Sequence, residues 1–382
     1  MLPLPLGLAV ATLLAPSSVS KAQGAWAPPY RVQSGALDPR SFSVPKLRTR
    51  LGKASSSVWQ RGDTLVFLLR SKAEIVRITG SIEEPMTRVG TSDLWLLRLG
   101  MKGWENHLVR YGFFTSEEPM IKSRLWRGRV APAPYATASR LKGRIIERTL
   151  ASSSLGASRA LTIYLPPNLA TTSPGSLRAF YMADGQSCEA FAEVLEPLIL
   201  AGKVAPAAIV GVHNAVPDNA SDLRSRLRAG EYVPGQDPEA FERHLRFFVE
   251  EAVPYATREF GLSPRRIDRA VFGCSDGGTF AAYAAFRHPE TFGAAVPLSS
   301  GGVLPADGRL PAAESPRFFF GAGLQEPFLR PTQASWERVR RAGGIAELRT
   351  VFGGHEAWTW FSTFARFVPL VFPPTPPVHS RS

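Results

Sequence analysis

The sequence predicts an α/β fold with a small all-β module in front of it, and three observations carry that prediction. A G-x-S-x-G turn, Gly273-Cys-Ser-Asp-Gly277, stands between a short apolar run (Ala270, Val271, Phe272) and a helix-like run (Thr279 to Arg287) that His288-Pro289 stops. Strand-like and helix-like runs alternate between about residues 138 and 372. Ahead of them, from Ser57 to about Arg127, the texture is all β. G-x-S-x-G between strand and helix is the elbow that lifts a serine above the end of an α/β-hydrolase sheet. Its glycines are required because the serine backbone is strained and its neighbours must leave room for a sharp turn. The expected architecture is an α/β-hydrolase domain with an N-terminal immunoglobulin-like β-sandwich.

The elements follow in order. Met1 to Ala15 is apolar and leucine-rich but too short to span a bilayer, and Ser20-Lys-Ala22 offers small residues at cleavage offsets. Residues 1–22 read as a signal peptide, with an uncleaved anchor as the alternative because a basic n-region is missing. That reading makes the protein exported, either periplasmic or secreted. Residues 23–49 are Pro/Ser-rich and read as an extended leader. In the sandwich, residues 50–130, the strands are Thr64–Leu69, Glu74–Thr79, Asp93–Leu99 and Leu108–Phe114. Trp59, Trp95, Trp104 and Trp126 suit either a sugar platform or, more commonly for such residues, core and interdomain packing. A linker at 131–137 leads to the catalytic domain at 138–372. Its strands are Gly143–Ser152, Leu161–Leu165, Leu177–Ala183, Ala207–Val212, the elbow strand, Ala294–Ser299, Arg317–Gly321 and Ala346–Phe352. Asp237-Pro238 starts a helix whose stripe is Phe241, Leu245, Phe248 and Ala252. Residues 373–382 form a Pro-rich tail.

At 382 residues and 44% hydrophobic content the chain can bury two cores. Its net charge is +13, and 37 of its 45 basic residues are arginine, a side chain suited to carboxylates and aromatics. They are scattered, so composition bias explains the surplus as readily as an acidic partner does. Neither zinc-type Cys/His spacing nor a basic helix with interleaved aromatics is present, so no metal or nucleic acid is expected. Cys188 and Cys274 each follow the end of neighbouring strands, and either a bridge or two buried thiols fits.

A serine hydroxyl needs an imidazole to take its proton, and the imidazole needs an acid to hold its tautomer. In this fold the order along the chain is Ser, acid, His. Ser275 is the nucleophile candidate. The last strand runs into Gly353-Gly-His355, which makes His355 the base candidate; His213 is its competitor. The strand at 317–321 runs into Gly323-Leu-Gln-Glu326, so Glu326 is the acid candidate, with Asp307 as the alternative. The oxyanion would meet the backbone N–H of Asp276 and a second N–H at Gly185 or Gln186, after the strand ending Met182-Ala-Asp-Gly185. A carboxylate at Asp276 is awkward beside an oxyanion, so it must point away or be paired.

With these residues assembled, the chain resembles the bacterial enterochelin (ferric siderophore) esterases, within the wider esterase D and feruloyl esterase group. The likeness is carried by Tyr164-Leu-Pro-Pro167, Tyr181-Met-Ala-Asp-Gly185, Val210-Gly-Val212, Arg228-Ala-Gly-Glu-Tyr232, Gly273-Cys-Ser-Asp-Gly-Gly278, His288-Pro289 with Phe292-Gly293, the Gly323–Glu326 turn, and Gly353-Gly-His355 with Trp358. The resemblance implies a cofactor-free serine esterase that cleaves a siderophore lactone through an acyl-serine. It places Arg228 in the stretch that holds the anionic ligand, and Trp358 beside the substrate. Two rivals stand: a feruloyl or acetyl esterase acting on polysaccharide side chains, and a non-catalytic ligand-binding protein on a hydrolase scaffold.

Overall fold

The computed structural model describes residues 28–34, 38–117, 122–168, 175–215, 221–305 and 315–374. The expected signal peptide, part of the leader, Asp307 and most of the Pro-rich tail lie outside the described residues. Among the described residues, no helix is long and apolar enough to cross a membrane.

The N-terminal part consists of two antiparallel sheets. In the first, Thr64–Arg70 lies between Ser56–Arg61 and Leu94–Gly100, and Arg31–Val32 and Thr87–Arg88 extend it. The second is built from Glu84–Pro85, Val76–Gly80, Leu108–Thr115 and Arg124–Arg127. Strand alternation divides the first sheet cleanly. Leu65, Phe67 and Leu69 meet Val76, Ile78, Val109 and Tyr111 of the second sheet, while Val66 and Leu68 face the other way. That other face is covered by helix Val44–Leu51 through Leu47 and Leu51. The expected extended leader is therefore helical from Pro39 onward. Asp38 caps the first turn, accepting from Arg40 N at 2.9 Å, and prolines occupy the early positions that helices tolerate. Trp95 and Trp104 are buried, their indole N–H groups donating to Ser71 O and Leu99 O. They belong to the packing and not to a sugar platform.

Eight strands form the second, larger sheet, numbered here within it: β1 Arg144–Ser152, β2 Ala157–Leu165, β3 Arg178–Ala183, β4 Ala207–Val212, β5 Arg269–Cys274, β6 Ala294–Leu298, β7 Arg317–Gly323 and β8 Ile345–Val351. Their spatial order is β1-β2-β4-β3-β5-β6-β7-β8. The β1–β2 and β2–β4 pairs are antiparallel and all others parallel. This is the sheet of an α/β-hydrolase-type fold, with helices on both faces. α1 Cys188–Leu200 and α6 Ala357–Val371 pack on one face, through Phe191, Leu195, Phe364 and Phe367. On the other are α3 Pro238–Arg246, α4 Asp276–Arg287 and α5 Leu329–Arg341. α2, Ser221–Tyr232, precedes α3 and also contacts α4. Asp237 caps α3 by accepting from Ala240 N at 2.9 Å, and Phe241, Leu245, Phe248 and Ala252 are buried as their spacing predicts. The chain stays helical beyond Pro254, to Glu259.

The two parts share a core residue. Phe352, the first residue after β8, inserts into the core between the N-terminal sheets, 5.0 Å from the Trp104 ring and 5.6 Å from the His107 ring.

One buried group sets an acid limit on stability. His244 is fully buried among Tyr232, Phe248 and Phe280, its ring nitrogens lack hydrogen-bond partners, and burial pushes its pKa down to about 4 despite Glu231 nearby. The folded state holds the imidazole neutral, so its contribution is complete above the unfolded value near 6.5 and is lost as pH falls toward 4. Unfolding free energy should drop on the order of 3 kcal/mol across that window. His244→Leu should flatten the decline, as read from urea midpoints at stepped pH.

Candidate active site

The parallel strands deliver their C-terminal ends to one edge of the sheet, where the chain repeatedly takes a costly turn. Asp184 after β3, Ser275 after β5 and Ser299 after β6 all have positive φ (61°, 60° and 50°). Non-glycine residues rarely adopt this conformation, and it collects where surrounding structure overrides local preference. At Ser275 the override is close packing. A Cβ on Gly273 would stand 2.3 Å from Gly277 O, and one on Gly278 would stand 2.5 Å from Leu298 O. The elbow glycines are therefore required by approach distance.

Ser275 Oγ lies 2.9 Å from His355 Nε2, and His355 Nδ1 lies 2.6 Å from Glu326 Oε2. Three of the expected residues thus meet in one hydrogen-bonded line. Glu326 is fully buried. Its other oxygen accepts from Gly323 N at 2.5 Å and from Ser299 Oγ at 2.7 Å, and Ser299 Oγ accepts in turn from Trp360 Nε1 at 3.0 Å. With both carboxylate oxygens engaged, Nδ1–H of His355 points at Glu326 and the Nε2 lone pair faces the serine. Phe328 lies against the imidazole at 4.2 Å and Trp360 meets it edge-on at 5.2 Å, so the ring is held on both sides. His213 lies elsewhere, its Nε2 2.8 Å from Thr162 Oγ1.

Asp276 opens α4, so its backbone N–H belongs to the first turn, where helix N–H groups lack intrahelical acceptors. Gly185 and Gln186 start a 3₁₀ turn after β3, beside the elbow because β3 pairs with β5. Gly185 packs against the backbone of Gly211 so closely that a Cβ would stand 2.3 Å away, while Gln186 is exposed.

Arg228 stands differently from the expectation. It is 8% exposed, and its guanidinium is bidentate on Asp184 (Nε–Oδ1 2.7 Å, Nη2–Oδ2 2.8 Å) while Nη1 donates to Asp276 Oδ2 at 2.7 Å. Nη2 also donates to Cys274 O at 3.2 Å, so four of its five N–H groups are engaged inside the protein. Burial alone would lower its pKa, but the Asp184 and Asp276 carboxylates outweigh burial and hold it raised. The same contact pairs the Asp276 carboxylate, resolving the difficulty of an acid beside the elbow. Asn214 Nδ2 completes the cluster on Asp184 at 2.7 Å.

Trp358 packs on Tyr135, ring centres 5.4 Å apart, in the wall of a cavity between the N-terminal sheets and α6. Cys188 and Cys274 are free, buried thiols. Burial pushes the Cys188 pKa up to about 12, and that of Cys274 well above its ordinary value.

The sequence reading missed Ser299, Asp184 and Trp360, although Ser299 and Asp184 share with Ser275 the position immediately after a parallel strand. It also missed the contact holding the histidine loop from the N-terminal side. There Arg110 pairs with Glu356, and Ser81 Oγ donates to Glu356 Oε1 at 3.1 Å.

Removing Arg228 would leave two buried carboxylates facing each other without a cation, which typically costs about 3–5 kcal/mol. Arg228→Met is expected to lower the unfolding free energy by that amount in a denaturant titration. A residue that only held ligand would leave stability unchanged and raise KM.

A protein-family model described as "Putative esterase" matches residues 152–363. No curated protein sequence matches the chain. Among solved structures, the chain is similar to a ferric enterobactin esterase from Salmonella typhimurium, with TM-score 0.62, 15% identity, and coverage of 85% of this chain and 99% of that one. It is also similar to an enterochelin esterase from Shigella flexneri, with TM-score 0.58, 18% identity, and coverage of 85% and 97%. A ferulic acid esterase matches with TM-score 0.51 at 19% identity, over 62% of this chain and all of its own length. The family match spans more than half of the 382 residues and includes the elbow, Glu326 and His355, and the chain belongs to this esterase family.

Proposed function

We propose that the protein is a serine esterase that cleaves carboxylic esters through an acyl-serine intermediate. The observation that carries this reading is the unbroken hydrogen-bonded line from Glu326 through His355 to Ser275. In the proposed cycle, Ser275 Oγ attacks the ester carbonyl while its proton passes to His355 Nε2. Glu326 holds the imidazolium by its Nδ1–H. The tetrahedral oxyanion is met by the Asp276 N–H and by Gly185 or Gln186 N–H. Collapse expels the alcohol, which leaves with the proton from Nε2. Water then repeats the sequence in reverse roles, releasing the acid and restoring Ser275. Every step is proton transfer or acyl transfer, so no cofactor is required.

For the substrate we propose a siderophore lactone of the enterochelin type. Support comes from fold likeness that runs through both parts of the chain, over 85% of its length, for the enterochelin and enterobactin esterases. The ferulic acid esterase likeness covers 62%, and it sustains the second reading, a feruloyl or acetyl esterase. The N-terminal sheets are proposed to form an immunoglobulin-like sandwich that caps the site, and the protein to act after export. Since Arg228 is internally paired, recognition of an anionic substrate would fall to other residues.

Hydrolysis of a ferric triscatecholate lactone, methyl ferulate, an acetylated xylan and a short-chain aryl ester by the purified chain tests these readings. Lactone turnover is expected, falling by about 10⁴-fold or more in Ser275→Ala and in His355→Ala. Retained turnover in Ser275→Ala would overturn the acyl-serine reading. Turnover confined to ferulate or xylan would select the second reading, and silence on all four would return the chain to ligand binding alone. Arg110→Ala, by releasing Glu356 beside His355, is expected to lower kcat about tenfold with KM little changed, and Arg110→Lys to recover part of the loss.

A further inference from the structure

The cavity between the N-terminal sheets and α6 has a volume of about 220 Å³, and none of Ser275, His355, Glu326 or Asp276 lines it. Its floor is one face of α6, where Trp358, Ser362 and Arg366 recur at i, i+4 and i+8. His107 and Leu108 close it from the N-terminal sheets and Phe352 from the end of β8. No lining residue is acidic.

Several of the polar groups here lack partners. Among the described residues no carboxylate pairs with Arg366; burial lowers its pKa first, and the Arg349 cation adds to that effect. Trp358 Nε1 and Ser362 Oγ are buried without hydrogen-bond partners. Buried donors are ordinarily paired, so two unpaired ones beside an uncompensated arginine are a strong departure from ordinary packing. Burial and then Arg366 lower the His107 pKa against a smaller opposite effect of Glu105, so it adds no second cation. The remaining wall presents the Phe352 ring, the Trp358 ring, Leu108 and Val351, with Asn106 and Thr350 beside them. At about 220 Å³ the space lies below the roughly 300–1,000 Å³ of pockets for drug-sized ligands, and so suits a single ring.

We propose that this cavity is a binding site for a small planar aromatic carboxylate, its carboxylate on Arg366, Ser362 and Trp358 Nε1 and its ring against Phe352 and Leu108. The site is independent of turnover and of which ester the protein cleaves.

Isothermal titration of the full chain with benzoate, and with benzamide as its neutral counterpart, tests this. Benzoate is expected to bind at least about tenfold more tightly than benzamide, and Arg366→Gln to weaken benzoate about tenfold or more. Trp358→Phe, which keeps the ring and removes the N–H, should weaken it about threefold with the melting temperature unchanged. Absence of benzoate binding up to about 10 mM, equal affinity for benzamide, or undiminished affinity in Arg366→Gln would overturn the proposal. If Arg366→Gln does not fold, undiminished affinity in both Trp358→Phe and Ser362→Ala would overturn it equally.

Discussion

A single buried cation shared by two carboxylates underlies the arrangement at the edge of the sheet. Arg228 of α2 grips Asp184, at the end of β3, and Asp276, at the start of α4. Both carboxylates sit beside backbone in unfavourable φ, at Asp184 itself and at Ser275. Strain of this kind, of order 1–3 kcal/mol per residue, persists only where neighbouring contacts over-determine it. The ion cluster supplies those contacts, aided by Asn214 and by Tyr232 Oη, which accepts from Asp184 N at 2.8 Å. The elbow is held from below by charge, from the sides by glycine contacts, and from above by His355.

Much of this was readable from the chain alone. Apolar runs such as Ala207–Val212, ended by turn residues, marked buried parallel strands because both faces are covered and every position is apolar. The elbow, Glu326 and His355 were found by position, since each must follow a particular strand end. What escaped depended on distance along the chain. Arg228 lies 44 residues from Asp184 and 48 from Asp276, and no local pattern reveals such a pair. An arginine among many reads as surface charge or as an anion receptor, and only tertiary structure shows it serving its own protein's acids. The early helix was hidden by its prolines, which suggest extension in composition but mark a helix start in position. The tryptophans of the N-terminal part were ambiguous for a related reason: an indole is buried or displayed according to the second sheet, whose pairing the sequence does not state.

The esterase family assignment and the hydrolase-type sheet agree with the geometry at the elbow, yet the N-terminal sheets are the distinguishing feature. They enter the site's neighbourhood twice, by receiving Phe352 into their core and by holding Glu356 through Arg110 and Ser81. These two residues bracket His355. The imidazole therefore depends on packing from a module that contributes no member of the Ser–His–Glu line.

That bracket has a bearing on when the protein becomes complete during synthesis. The N-terminal sheets are synthesised before the larger sheet, and domains generally fold as units in that order. Ser275 and Glu326 follow, and the loop from Phe352 to Glu356 emerges after both, onto a surface already formed. Until that docking occurs, Ser275 and Glu326 have no imidazole joining them. Closure of the two modules is the event that links these three side chains.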